Sequence, residues 1–155
     1  MTNVNAGAPK ANVSLIIRAS PVDIYFAFVK PEQLTRFWLS SSSAELTIGT
    51  AVHWEFMVKG AAVDATATKL EQGRSLAWNW SDGTTVDITL EECDGATAVT
   101  VINAGFKGDT NDMFEAALNA TEGFSLVLAD LKTLLESGKS SSIVKDKARL
   151  IELNK

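Results

Sequence analysis

The stretch 20–38, SPVDIYFAFVKPEQLTRFW, carries two helix starts in one short segment. Ser20 offers an N-cap oxygen, Pro21 suits the first helical position, and Asp23 stands at the positive end of the helix dipole. Lys30 precedes Pro31 and is steered toward extended geometry, so the first helix should stop there. PEQLTRFW then opens a second short helix in the same way. Two short helices broken at a proline predict a corner rather than a continuous rod.

Around this corner the hydrophobic period is two. Upstream, NVSLIIRA (12–19) reads as a strand rich in β-branched residues. Downstream, TAVHWEFMV (50–58) sets Val52, Trp54, Phe56 and Val58 against His53, Glu55 and Met57. AVDATATKL (62–70) puts Val63, Ala65 and Ala67 on one face, and SLAWNWS (75–81) does so with Leu76, Trp78 and Trp80. TTVDITLEE (84–92) adds Val86, Ile88 and Leu90. After an Asp94-Gly95 hairpin turn, TAVTVINAGF (97–106) returns with Val99, Val101 and Asn103. This is a run of antiparallel strands with one apolar face.

From Asn111 the period becomes 3.6. Phe114, Ala117, Leu118, Thr121, Phe124, Leu128, Leu131 and Leu135 form one stripe of a long helix that Gly138 ends. Only this helix is large enough to cover the sheet. The chain therefore divides into a flexible N-terminus (1–11), an α+β domain (12–138) and a basic extension (139–155) holding a short amphipathic helix at 143–153. At 155 residues, a single domain can bury about 68–70% of its unfolded surface.

The net charge is −5, but residues 139–155 carry +3 and the remainder −8. An acidic body argues against nucleic acid or an anionic membrane as the main partner. No apolar run approaches ~20 residues, so no membrane insertion is expected. A single cysteine, Cys93, excludes an intramolecular disulfide framework. The expectation from these features is a cytoplasmic protein.

Four stretches carry a resemblance to the START-like (SRPBCC, helix-grip) superfamily: ASPVDIYFAFVKPEQLTRFW, GTAVHWEF, GRSLAWNW and EGFSLVLADLKTLLE. Within it the chain resembles the activator of heat shock protein 90 ATPase homologue family over residues 12–137. Asn103 stands where that family often has histidine, and Phe124 where tryptophan is usual. The resemblance implies a helix-grip (START-like, Bet v-type) fold, with a curved antiparallel sheet wrapped around the long helix and a cavity between them. In that fold Trp54, Phe56, Trp78, Trp80, Val86, Ile88, Val101 and Asn103 face the cavity from the sheet, beside the small Ala65 and Ala67. Ala117, Thr121 and Phe124 lie across from them on the helix. Tyr25 stands near the mouth, and Trp38 belongs to the lining.

Large rings beside small residues can simply interdigitate and leave no void. Against that, each buried indole N–H needs an acceptor, and this face offers chiefly Asn103 and Thr121. An apolar chamber with sparse polar groups suits a small molecule, so a lined pocket is expected rather than a dry core.

Signs of catalysis are scarce. One histidine and one cysteine cannot make a conventional metal cluster, and Glu91, Glu92 and Asp94 give Cys93 a setting unsuited to a thiolate nucleophile. GDTND lacks phosphate-loop spacing. His53 and Glu55 share a strand face and have the makings of an acid/base pair, but alternation turns them outward. No catalytic residue, metal or cofactor is expected.

The leading expectation is therefore a non-catalytic domain that binds a small hydrophobic molecule. The alternatives are an interaction module for a chaperone or other protein, and a cyclase- or hydrolase-like enzyme acting on a polyketide-like substrate. An 11-residue helix is marginal alone, so 143–153 should dock at the cavity rim or on a second subunit, and a homodimer fits that expectation.

Overall fold

The computed structural model describes residues 7–155; residues 1–6, most of the segment expected to be flexible, lie outside the described residues. Its elements run β1 (Ala11–Ile17), α1 (Pro21–Val29), α2 (Pro31–Leu34), β2 (Leu39–Ser42), β3 (Ala51–Phe56), β4 (Ala62–Glu71), β5 (Ser75–Trp80), β6 (Thr85–Cys93), β7 (Ala96–Ala104), α3 (Thr110–Ser137) and α4 (Ile143–Leu153). The seven strands form one antiparallel sheet in the order β1-β7-β6-β5-β4-β3-β2. Consecutive strands β1 and β2 thus occupy opposite edges. The corner formed by α1 and α2 carries the chain between them.

That corner forms as its residues dictate. Ser20 accepts a hydrogen bond from the Asp23 backbone N–H at 3.1 Å, and Lys30 takes an extended conformation (φ −91°, ψ 129°) before Pro31. Ile24, Phe28, Leu34 and Phe37 are fully buried and close one end of the sheet. Phe28 packs edge-on to Phe37 and Trp38. The β6–β7 turn has positive φ at both Asp94 (50°) and Gly95 (82°), the backbone a two-residue hairpin requires.

Two differences from the sequence reading stand out. Strand β2, sequence LSSS, carries no alternation and gave no signal. It pairs with β3 through a register shift between Leu39 and Ser41, and the Ser40 hydroxyl donates to the carbonyls of Glu55 and Phe56. On α3, Phe114 and Leu118 do not belong to the covering stripe. They are 55% and 70% exposed, while Ala117, Phe124, Val127, Leu128, Leu131 and Leu134 are buried. Leu118 stands one residue, about 100°, from Ala117, which turns it off the sheet.

Helix α3 starts at a capping box between Asp109 and Asp112 and stops at Gly138 in the left-handed conformation (φ 78°). At its C-terminal end Lys132 donates to the Ile16 carbonyl at 2.7 Å and pairs with Glu136, clasping the helix to edge strand β1. Helix α4 then runs back along α3. The Val144 backbone N–H donates to Asp130 Oδ2 at 3.0 Å, and Lys147 lies 3.2 Å from Glu122. As α4 advances, its partners on α3 recede, so the two helices are antiparallel.

A cavity between the sheet, α3 and α4

Between the sheet, α3 and α4 lies a cavity of about 740 Å³ that opens to solvent. Its aromatic lining is Trp38, Phe56, Trp80 and Phe124. Trp80 and Phe124 stack at 5.9 Å with an interplanar angle of 18°. Trp38, delivered by the turn after α2, touches Trp54, Trp78, Trp80, Phe56 and Phe124 and is the hub of the cluster. Register explains how such rings fit. Ala65 of β4 sits opposite Trp80 and Ala67 opposite Trp78, so each indole leans over a methyl group.

The structure divides the residues that the sequence reading grouped together. Trp38, Phe56, Trp80, Asn103 and Phe124 line the cavity. Trp54, Trp78, Ala65, Ala67, Val86, Ile88 and Val101 are buried to within 1% and form the dry core beneath it. Ala117 is also buried, one face of α3 away, and the Thr121 hydroxyl turns back to the Ala117 carbonyl at 2.7 Å. Tyr25 packs in the core beside Phe26, away from the cavity, and burial followed by the nearby Glu45 charge pushes its phenol pKa up. The wall is therefore both things: packed core at its base, cavity lining at its outer end.

The indole N–H groups of Trp54, Trp78 and Trp80 are buried without a hydrogen-bond partner among the described residues. The two groups expected to accept from them are held by the backbone as donors, Asn103 Nδ2 to the Thr85 carbonyl at 2.9 Å and the Thr121 hydroxyl to the Ala117 carbonyl, and neither oxygen accepts from an indole. The rings meet edge to face, Trp54 on Trp38 at 65° and on Trp78 at 75°. Edge-to-face packing of this kind sets the positive edge of one ring on the π-face of the next.

The rest of the lining was read only in part: Ala120 was expected across from the sheet and 143–153 at the rim, whereas the β3–β4 turn and Gly123 were not singled out. The β3–β4 hairpin contributes Met57, Val58, Gly60, Ala61 and Val63, and α3 contributes Asn119, Ala120, Gly123, Leu126 and Val127. Helix α4 supplies Val144, Lys147, Ala148 and Ile151. Two signals pointed here: a glycine in mid-helix, and an amphipathic segment too short to stand alone. A Cβ built on Gly123 meets no atom within 4 Å. The basic extension is thus a wall at the cavity rim.

Polar groups in the cavity are few. Asp82 is engaged by the Thr84 backbone N–H and hydroxyl at 2.8 and 2.7 Å. His53 and Glu55 lie on the outer face, each about half exposed, with His53 Nδ1 2.9 Å from Asp64 and Nε2 3.5 Å from Glu55. The hydrogen bond to Asp64 raises the His53 pKa above 6.5, with a smaller contribution from Glu55. Among the described residues no group of three His, Cys, Asp or Glu side chains is placed to hold a metal.

A family profile described as activator of Hsp90 ATPase homologue 1-like protein matches residues 18–136, most of the chain. The chain belongs to this family. In this family member the matched span covers β2 to β7, the corner and α3, and leaves out β1 and α4. Protein SSP2350 of Staphylococcus saprophyticus has a similar structure (26% identity, TM-score 0.73, 84% of this chain and 94% of that one). So does the Aha1 dimer of Colwellia psychrerythraea (25% identity, TM-score 0.74, 84% and 98%). DynU16, a putative protein of the dynemicin biosynthetic locus, shares the fold at 21% identity and a TM-score of 0.75. It is matched over 87% of this chain and 50% of its own length. Comparison with curated protein sequences gave no match. The architecture is that of the helix-grip fold: a curled seven-stranded antiparallel sheet holding a long C-terminal helix.

Proposed function

We propose that this chain is a non-catalytic binding protein that holds a small hydrophobic molecule between the aromatic end of its sheet, α3 and α4. The observation that carries this reading is the cavity itself. Its 740 Å³ falls within the ~300–1,000 Å³ typical of small-molecule sites. Its lining follows the same pattern, with aromatic and aliphatic walls and a few polar groups at the edge. The outward orientation of His53 and Glu55 supports a carrier or sensor over an acid/base enzyme. Among the described residues no helix is long and apolar enough to cross a membrane. The lone Cys93 suits a reducing compartment, and on that ground we infer a cytoplasmic location.

We also infer that the chain self-associates. The support is its likeness to the Colwellia protein, whose solution structure is a dimer.

Gly123 provides the test of the ligand site. Replacing it by phenylalanine projects a ring into open space, and loss of a helical glycine favours the helix, so the fold should survive. The neutral fluorophore N-phenyl-1-naphthylamine should bind the wild type with quenching of tryptophan emission. Gly123→Phe should weaken that binding roughly tenfold or more, since the ring displaces the ligand. Equal binding by both proteins would refute the site.

A further inference from the structure

The side of the α3–α4 layer that faces away from the cavity carries four large apolar side chains with no cover: Phe114, Leu118, Leu150 and Leu153, 55–70% exposed. Phe114 and Leu118 are four apart on α3, and Leu150 and Leu153 are three apart on α4, so each pair shares a helix face. The Glu122–Lys147 ion pair ties the helices together, and Glu122 is the next step of the Phe114–Leu118 row, as Lys147 is of the Leu150–Leu153 row. Exposed apolar groups gathered on one surface signal an interaction site.

Charge says what covers it. Residues 109–122 carry Asp109, Asp112, Glu115 and Glu122 and no cation, whereas 143–155 hold four cations against two acids. The two helices are antiparallel, as the Asp130–Val144 and Glu122–Lys147 contacts require. A two-fold axis running along them would set α3 of one copy on α4 of another, Glu115 of each toward Arg149 of the other, twice over. A self-complementary patch of this kind is what an isologous dimer needs. Glu115 and Arg149 are exposed and form no ion pair among the described residues, leaving both available.

We propose that this α3–α4 face is the surface through which two copies of the chain pair, α3 of each lying on α4 of the other. The proposal rests on the self-association inferred above. It has a consequence for the ligand site: the opposite side of α4, through Val144, Ala148 and Ile151, is a cavity wall. Pairing would clamp that wall in place.

Sedimentation velocity of the full chain over a dilution series tests it. The wild type should be a dimer. Leu118→Asp and Leu150→Asp alter exposed positions, so circular dichroism should be unchanged while the dimer dissociation constant rises roughly tenfold or more. Glu115→Lys and Arg149→Glu should each weaken the dimer, and the double reversal should restore most of the loss. A monomer at every concentration would end the self-association reading itself. A dimer indifferent to both leucine changes would leave that reading standing and overturn the face. A double reversal no better than the singles would overturn the crossed α3-on-α4 pairing.

Discussion

His53 makes a cross-strand pair on the outer face of the sheet. Alternation along β3 turns it outward, and there Asp64 on β4 is its cross-strand neighbour, with Nδ1 and Oδ1 2.9 Å apart. The pair is half exposed, so it sets a protonation state more than it holds the sheet. A partner carboxylate favours imidazolium, so His53 should titrate above 6.5. The sign of the linkage follows. The stabilisation is fully present below pH 6.5 and is lost as the pH rises through the raised folded value. As the only histidine, it gives an unambiguous imidazole NMR titration. Asp64→Asn should bring the midpoint back toward 6.5, and an unchanged midpoint would count against the pairing. At this scale the sequence was a good guide, because the face a strand residue takes depends only on its neighbours.

Among the elements, α4 depends most on the rest of the chain. Its N-cap, Ser142, has a left-handed backbone and makes no side-chain cap bond. The cap comes from another helix, since Asp130, 1% exposed, accepts the Val144 N–H. A carboxylate at the start of a helix is also favoured by the helix dipole. Losing such a cap costs about 0.5–2 kcal/mol, and here the loss falls on a short helix with little else to hold it. Asp130→Ala should therefore speed hydrogen exchange across 144–153 by about 2- to 30-fold, leaving the β5–β7 amides as protected as before. Uniform loss of protection would show that α4 opens only with the whole domain. Capping signals within one segment, such as Ser20-Pro21 or Gly138, were plain in the sequence. A cap supplied from 14 residues away was not, nor was β2, whose serines pair through register and hydroxyl bonds rather than a hydrophobic pattern. The stripe on α3 was legible in its period but not in its rotation. Burial of Ala117 rather than Leu118 depends on where the helix lies over β1 and β7.

At the scale of the whole molecule, the corner at 20–38 explains the architecture. By moving the chain from one sheet edge to the other it leaves β3–β7 free to pair as successive hairpins, and it delivers Trp38 to the centre of the aromatic cluster. The sheet then carries a gradient along its concave side. Fully buried Trp54, Trp78 and Ile88 form packed core, while the partly buried Phe56 and Trp80 reach the cavity that α3 and α4 also line. The sequence showed which residues share this face. It did not show where packing stops, because that depends on the tilt of α3 and on α4 closing the rim. That boundary between packed core and cavity decides whether the protein can hold a ligand. An NMR titration of 15N-labelled protein with N-phenyl-1-naphthylamine reads it directly. Shift changes should concentrate at the Trp80 indole N–H, Gly123, Phe124 and Ala148, with Trp54 and the outer β3 face nearly still. Changes centred on Phe114, Leu118 and Leu150, or none at all, would contradict that boundary.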